Sequence, residues 1–172
     1  VPEDDGACDG LAGKTIPSLV LESSQGAVDL AELAAERLVL YVYPRAGRTE
    51  RPGWDAIPGA RGCTPQSCAF RDHAAELRGL EALVAGVSAQ SLAEQVRFAE
   101  LNHMPFPIVS DERLRLREAL GFPTFEVDGD VLYKRVTVIA ERRSIVKVFY
   151  PVFPPDRNAV DVITWLRGKA SA

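Results

Sequence analysis

Long apolar runs are missing from this 172-residue chain. The longest strongly apolar run extends only from Leu38 to Tyr43, whereas a membrane-spanning helix needs about 20 consecutive apolar residues. The first ten residues, VPEDDGACDG, are acidic and polar, which is not the pattern of a signal peptide. We therefore predict a protein that has no membrane-spanning segment and does not act on a membrane.

A strong excess of one charge is also missing. The chain has 20 basic and 24 acidic side chains, for a net charge of −4, whereas a nucleic-acid binder usually has a large basic excess. A hydrophobic content of 47% with 26% charged residues excludes a disordered or collagen-like chain. No internal repeat, low-complexity tract or linker interrupts the sequence, so we predict that residues 1–172 form a single domain.

Cysteine is scarce, and its count is odd. The three cysteines are Cys8, Cys63 and Cys68. An odd number argues against a disulfide scaffold and for a reducing compartment, so we predict a cytoplasmic protein. A metal site is not predicted either, because Cys63, Cys68 and His73 advance by about 140° at each step along a helix and do not share a face.

The apolar pattern predicts an α/β fold. Residues 16–30 are typical of a small hairpin, because a polar, glycine-containing turn separates two short apolar runs. Continuous apolar runs predict buried strands at 37–43, 83–88 and 106–109. Helical periodicity predicts helices at about 64–79, 91–101, 111–121 and 156–167.

Residues 124–150 are β-rich, with predicted turns at Asp128-Gly129 and near Arg142. Early strand–helix–strand units imply parallel pairing, and the late hairpins imply antiparallel strands. The result is a mixed central sheet flanked by helices, with an N-terminal β-hairpin, as in a thioredoxin-like fold. The inward face of 91–101 is predicted to be Leu92, Val96 and Ala99, and that of 111–121 to be Leu116, Ala119 and Leu120.

The segment Gly62-Cys63-Thr64-Pro65-Gln66-Ser67-Cys68 is the most informative motif. Thr64 and Pro65 indicate the start of a helix, which places Cys63 at its entry. Exposed backbone N–H groups and the helix dipole stabilise an anion there, so the thiolate form of Cys63 is favoured. Between residues 44 and 73, five arginines outnumber three acidic residues, which adds positive potential.

The spacing of Cys63 and Cys68 limits how they could react with each other. On an intact helix, two residues five positions apart are about 140° apart around the axis and about 7.5 Å apart along it. A disulfide needs Cα atoms within about 7 Å and facing Cβ vectors. A bond between these cysteines therefore requires the first turn of the helix to unwind, unlike the C-x-x-C pair of a simple thioredoxin-type dithiol.

The segment GCTPQSCAFRD resembles the active-site segment of peroxiredoxins, nearest to the Q type, also called bacterioferritin-comigratory proteins. The similarity continues in the opening hairpin GKTIPSLVLESSQGAVDL, in LVLYVYP, which resembles the strand ending in the active-site proline, and in KRVTVI, which resembles the strand that presents the active-site arginine. The resemblance implies a thioredoxin fold, reduction of hydrogen peroxide and organic hydroperoxides, and no cofactor or metal.

The same resemblance implies a role for each site residue. Cys63 would be the peroxidatic cysteine and Cys68 the resolving one, joined in a disulfide that thioredoxin or a similar dithiol reduces. Arg135 would hydrogen-bond the thiolate and the peroxide. The substrate pocket would include Tyr43, Pro44 and Gly62. The family also implies a monomer or a homodimer.

The chain departs from the family pattern at two points. Pro44 and Cys63 are 19 positions apart, 12 more than in the family pattern. Ala60 stands where the family has a threonine or serine whose hydroxyl orients the peroxide. Two alternatives stay open: Thr49, within the inserted residues, supplies that hydroxyl, or no hydroxyl does.

Other interpretations stay open at the level of sequence. The protein could be a thiol–disulfide oxidoreductase, or a redox-sensing module that binds a partner through the 45–62 loop with Trp54 as an anchor. On periodicity alone, Arg135 is equally well an outward strand residue paired with a carboxylate. Cys8 is predicted to be structural, because the carboxylates around it should raise the pKa of its thiol, and it is the second candidate for the resolving role.

Overall fold

The structure, a computed structural model, describes residues 2–47 and 62–170. The strands are β1 Val20–Ser23, β2 Gly26–Asp29, β3 Arg37–Val42, β4 Leu83–Ser88, β5 Ile108–Ser110, β6 Thr124–Val127, β7 Asp130–Tyr133, β8 Val136–Glu141 and β9 Ser144–Phe149. The helices are α1 Leu30–Leu33, α2 Cys63–Asp72, α3 Ala74–Gly79, α4 Leu92–Leu101, α5 Arg115–Leu120 and α6 Asn158–Ala170, with a 3₁₀ helix at Pro155–Arg157. No helix in the described ranges is long and apolar enough to cross a membrane.

Seven of the strands form one mixed sheet, in the order β2-β1-β5-β4-β3-β8-β9. Strands β3, β4 and β5 pair in parallel, with helices in the connections between them. On the other side of β3, strands β8 and β9 pair antiparallel, while β6 and β7 form a separate hairpin. The predicted mixed sheet and the N-terminal hairpin of β1 and β2 are confirmed.

The sheet separates two apolar clusters because side chains alternate between its faces along each strand. Along β3, Leu38, Leu40 and Val42 pack with α1, α5 and the N-terminal residues. Val39 and Tyr41 face the other side and pack with α2, α3, α4 and α6. Strand β3 is therefore buried on both faces, which explains its continuous apolar sequence.

The register of β3 and β8 determines what lies at the carboxyl end of β3. Val42, its last residue, pairs with Val136, the first residue of β8. Because the two strands are antiparallel, the residues that follow β3 lie beside the residues that precede β8. Pro44 and Arg135, 91 positions apart in the sequence, are in this way brought to the same end of the sheet.

Two predicted helix faces are partly wrong. In α4, Gln95, Phe98 and Ala99 are buried, whereas Leu92 and Val96 are only half-buried. The helix turns Gln95 inward because the Gln95 amide accepts a hydrogen bond from the Tyr43 hydroxyl and donates one to the Val109 carbonyl. An apolar pattern cannot identify a glutamine that is buried through its hydrogen bonds.

The predicted helix at 111–121 is also shorter than expected. Asp111 does accept hydrogen bonds from the backbone N–H groups of Arg115 and Leu116, but α5 begins only at Arg115. Leu116 and Leu120 are buried as predicted, whereas Ala119 is exposed. In α6 the predicted face is confirmed in full by the burial of Ala159, Val162, Ile163 and Leu166.

Candidate active site

Cys63 is the first residue of α2, and its side chain is almost completely buried, with 3% exposed. Gly62 before it is in the left-handed region, at φ 103°, where residues with a side chain are strained. A Cβ on Gly62 would also lie only 2.8 Å from the Pro155 Cγ. Glycine is thus required at position 62 for two reasons, its backbone conformation and its close contact with Pro155. This turn packs against the 3₁₀ helix and sets the position of Cys63. The helix begins one residue before the predicted cap, Thr64.

Among the described residues, the Cys63 sulfur accepts hydrogen bonds from Arg135 and from the backbone of Arg45. The Arg135 Nη2 lies 3.1 Å from the Cys63 Sγ, and the backbone N–H of Arg45 donates to the same atom at 3.4 Å. Arg135 is 4% exposed, so its positive charge acts on the sulfur with little solvent between them. A cationic donor and a backbone donor together stabilise a thiolate.

A chain of buried polar side chains orients Arg135. The Gln66 Oε1 accepts a hydrogen bond from the Arg135 Nη1, and the Gln66 Nε2 donates to the Asn158 Oδ1 at 3.1 Å. The Thr137 hydroxyl donates to the same Asn158 oxygen at 2.6 Å. None of these three partners was predicted from the sequence. The signal for Gln66 was its position three residues after Cys63, on the same side of the helix, whereas nothing in the sequence linked Asn158 to the site.

Gln90 orients the backbone that follows β3. Its Oε1 accepts a hydrogen bond from the Ala46 N–H at 2.9 Å, and its Nε2 donates to the Ala46 carbonyl at 3.0 Å. The Arg45 guanidinium pairs with Glu94 at 3.2 Å. These contacts, at Ala46 and at the Arg45 side chain, hold the backbone at Arg45, whose amide donates to the Cys63 sulfur. The sequence contained no signal for Gln90.

Cys68 lies on a different side of α2. Its Sγ is 3.8 Å from the Asn102 Oδ1 at the end of α4, and the Arg71 Nη1 donates to the Asn102 carbonyl at 2.8 Å. Both cysteines are part of the intact helix, and all three cysteines of the chain are free thiols. The structure therefore shows the reduced form, in which Cys63 and Cys68 have different neighbours.

A cavity of about 280 Å³ opens beside Pro44 and Arg135. Its lining also includes Asp5, Phe125, Lys134, Tyr150 and Val152. Tyr43 and Gly62, which were predicted for the pocket together with Pro44, are not among the described residues that line it: the Tyr43 hydroxyl donates to Gln95, and Gly62 packs against Pro155.

Other candidates from the sequence lie outside the described residues or, in the case of His73, at the far end of α2. Ala60, Thr49 and Trp54 lie outside the described residues. His73 separates α2 from α3, and its Nδ1 is 2.9 Å from the Ala69 carbonyl. Within residues 2–47 and 62–170, no group of three or more His, Cys, Asp or Glu side chains could hold a metal ion.

Cys8 has the opposite environment to Cys63. It is buried in the apolar cluster that contains Leu11 and Tyr133. Burial first, and then the carboxylates of Asp5 and Asp4, raise the pKa of the Cys8 thiol to about 12. A thiol with that pKa stays protonated and is a poor nucleophile at neutral pH.

The chain is similar to known proteins over most of its length. Residues 11–163 match the family model described as Redoxin. The chain is 29% identical over 157 residues to the chloroplastic Peroxiredoxin Q of Sedum lineare, covering 90% of this chain and 77% of that protein. It is 30% identical over 148 residues to the chloroplastic Peroxiredoxin Q of Triticum aestivum, covering 85% and 62%.

Solved structures show the same similarity in three dimensions. Peroxidoxin BcpB of Mycobacterium tuberculosis superposes with a TM-score of 0.75 at 27% identity, covering 91% of this chain and 96% of that one. Peroxiredoxin Q of Xanthomonas campestris shares the fold, with a TM-score of 0.72 at 24% identity over 88% and 91% of the two chains. The chain therefore belongs to the redoxin family, as a peroxiredoxin similar to the Q type, and the predicted thioredoxin-like fold is confirmed.

Proposed function

We propose that Cys63 is the nucleophile of this thiol-dependent peroxidase and that its substrates are hydrogen peroxide and organic hydroperoxides. The observation that carries the proposal is the 3.1 Å contact between the Arg135 Nη2 and the Cys63 Sγ. The thiolate attacks one peroxide oxygen in line, the O–O bond breaks, and water or an alcohol leaves after taking up a proton. The product is a sulfenic acid on Cys63.

Arg135 and the Arg45 amide have two tasks in this step. They stabilise the thiolate before the reaction, and they stabilise the negative charge that develops on the two oxygens as the bond breaks. Gln66 acts through Arg135, and Gln90 acts through the backbone at Arg45, so both are positioning residues. No metal or other cofactor takes part in any of these steps.

Cys68 is proposed to resolve the sulfenic acid. Its thiolate attacks the Cys63 sulfur, the S–O bond breaks, hydroxide leaves and takes up a proton to become water, and a Cys63–Cys68 disulfide forms. Because Cys68 contacts Asn102 in the intact helix, α2 must first open. An external dithiol, thioredoxin or a similar protein, then reduces the disulfide by thiol–disulfide exchange.

The burial of Cys63 favours a small substrate. With 3% of its surface exposed, Cys63 is too deeply buried to meet a disulfide on the surface of another protein, which supports a peroxidase over a general thiol–disulfide oxidoreductase. The partner-binding alternative depends on residues of the 45–62 loop that are mostly outside the described ranges.

The remaining parts of the proposal concern the whole chain. We propose one domain over residues 1–172, working as a monomer or homodimer. We also propose the cytoplasm as its location, because three free thiols suit a reducing compartment. Cell fractionation with detection of the native protein tests the location, and sedimentation of the purified chain tests the oligomeric state.

Substitution of the cysteines one at a time tests the catalytic roles. Cys63→Ser should reduce peroxide consumption with dithiothreitol to the background rate, whereas the matched control Cys8→Ser should keep it. Cys68→Ser should still oxidise once but lose turnover with thioredoxin. Peroxide reduction retained by Cys63→Ser would refute the role of Cys63.

A further inference from the structure

The cavity beside Arg135 has one wall made by the N-terminal residues Pro2, Glu3 and Asp5, here called the N-terminal wall. Asp5 connects this wall to the rest of the site. Its Oδ2 accepts a hydrogen bond from the Lys134 Nζ at 3.0 Å, and its Oδ1 accepts one from the Tyr150 hydroxyl at 2.8 Å. Both donors line the same cavity, and Lys134 directly precedes Arg135.

The attachment of the wall does not rest on one ion pair. An exposed ion pair contributes little alone, and the Asp5 and Lys134 side chains are 48% and 33% exposed. The same carboxylate, however, also accepts from Tyr150 and from the Ala7 backbone N–H, and the chain that follows is anchored by the buried Cys8. The hydrogen bond from Lys134, followed by that from Tyr150, lowers the pKa of Asp5 to about 2, so its carboxylate is ionised at neutral pH.

The other walls of the cavity are mainly apolar. Phe125, Pro151 and Val152 line it together with Pro44. A cavity of about 280 Å³ is several times the volume that one water molecule occupies, and hydrogen peroxide is only slightly larger than water. Apolar walls do not increase the affinity for hydrogen peroxide. They do increase the affinity for an aryl or branched alkyl group, because that group loses its unfavourable contact with water there.

We propose that Asp5 determines substrate specificity: by fixing the N-terminal wall, it gives the site a preference for hydroperoxides that carry a bulky apolar group. This inference rests on the proposed function of Cys63 as the peroxidatic nucleophile. Asp5 does not touch the reacting atoms. It acts by holding a surface against which the apolar group of the substrate packs while its O–O bond faces Arg135. Cys63 is not among the described residues that line the cavity, and Arg135, which lines it and donates to the Cys63 sulfur, connects the two.

The ratio of two specificity constants tests the proposal. We would measure kcat/KM for cumene hydroperoxide and for hydrogen peroxide in the unchanged chain, in Asp5→Ala and in the control Asp9→Ala, which removes an exposed carboxylate from the same segment. Loss of one wall of an apolar pocket costs about tenfold in discrimination. We expect the cumene-to-hydrogen-peroxide ratio to fall about tenfold in Asp5→Ala and to stay within about twofold in Asp9→Ala. Lys134→Met should lower the ratio in the same direction.

A ratio that stays unchanged in Asp5→Ala would overturn the proposal. This includes the case in which both specificity constants fall by the same factor, because that is the result of an altered charge near Arg135. A second measurement does not depend on turnover. Titration of the Cys63→Ser protein with 2-phenyl-2-propanol, the alcohol product of cumene hydroperoxide, should show by NMR about tenfold weaker binding when Asp5→Ala is added. Equal binding contradicts the role of Asp5, whereas an unchanged chain that reduces neither peroxide contradicts the proposed function instead.

Discussion

At the scale of single residues, two buried cysteines of one chain have opposite surroundings. Cys63 is 3% exposed and Cys8 is 6% exposed, so burial alone does not separate them. The Cys63 sulfur accepts hydrogen bonds from Arg135 and from a backbone N–H, whereas Cys8 lies near the carboxylates of Asp5 and Asp4. The first environment offers hydrogen-bond donors to negative charge on the sulfur, and the second favours the neutral thiol.

Arg135 should have a large effect on the chemical step. Arg135→Met removes the cationic donor 3.1 Å from the sulfur but keeps an apolar side chain of similar length. Removal of one such donor typically costs a factor of about 10² to 10³ in rate. We expect a loss of that size in the rate constant for oxidation of Cys63, measured by stopped-flow with excess hydrogen peroxide. The control Arg113→Met, at an exposed position, should be close to the unchanged chain, and a loss below about threefold in Arg135→Met would argue against its role.

At the scale of elements, α2 combines two tasks. Its first residue is the reactive Cys63, and its second half is bound to the end of α4 through Arg71 and Asn102. The same asparagine contacts Cys68, so the contacts that keep Cys68 in the helix also keep it from Cys63. The strength of these contacts should therefore set how readily α2 opens.

Arg71→Met should speed formation of the Cys63–Cys68 disulfide. The substitution removes the 2.8 Å hydrogen bond from the guanidinium to the Asn102 carbonyl. A hydrogen bond from a charged group contributes about 1.5 kcal/mol, which corresponds to about tenfold in the population of the opened helix. Rapid quenching with a thiol-blocking reagent after addition of peroxide measures the disulfide directly. Arg97→Met, on the exposed side of α4, is the matched control and should form the disulfide at the rate of the unchanged chain. An unchanged rate in Arg71→Met would contradict the account.

The elements also show what sequence patterns can and cannot predict. The strands β3 and β4 were predictable because both are continuous apolar runs, and α6 because its four buried residues follow helical spacing. The short α1 was missed, since four residues are too few for a periodic pattern. The contact of Arg135 with Cys63 joins residues 72 positions apart, so only the family resemblance indicated it. Gln66, Gln90 and Asn158 act through hydrogen bonds between distant segments, for which hydropathy has no signal.

At the scale of the whole molecule, the site depends on the meeting of distant segments. The end of β3, the residue before β8, the first turn of α2 and the 3₁₀ helix all contribute to the surroundings of Cys63. The N-terminal residues complete the cavity through Asp5. Global stability and the geometry of the site are therefore linked.

Acid should destabilise the protein through its carboxylates. The Ser18 hydroxyl, followed by the backbone N–H groups of Leu19 and Ala31, holds the pKa of Asp29 below its usual value, and Asp5 is lowered to about 2. Because these pKa values are lower in the folded state, the unfolded chain takes up protons first as the pH falls. The stabilisation is complete above about pH 5 and is lost as the pH falls through the folded-state values.

Urea unfolding at about pH 7 and about pH 3 measures this effect. The midpoint should be lower at the acid pH, and Asp29→Asn, which keeps a capping side chain without the charge, should reduce the difference between the two midpoints. A midpoint that does not change with pH would contradict the contribution of these carboxylates.

Intact mass spectrometry after one equivalent of hydrogen peroxide tests the central claim most directly. The unchanged chain should become about 2 Da lighter, with Cys63 and Cys68 joined in one disulfide-linked peptide pair, whereas Cys68→Ser should become about 16 Da heavier, with the added oxygen on Cys63. Oxidation that spares Cys63, or a disulfide that joins Cys63 to Cys8 in the unchanged chain, would contradict the account.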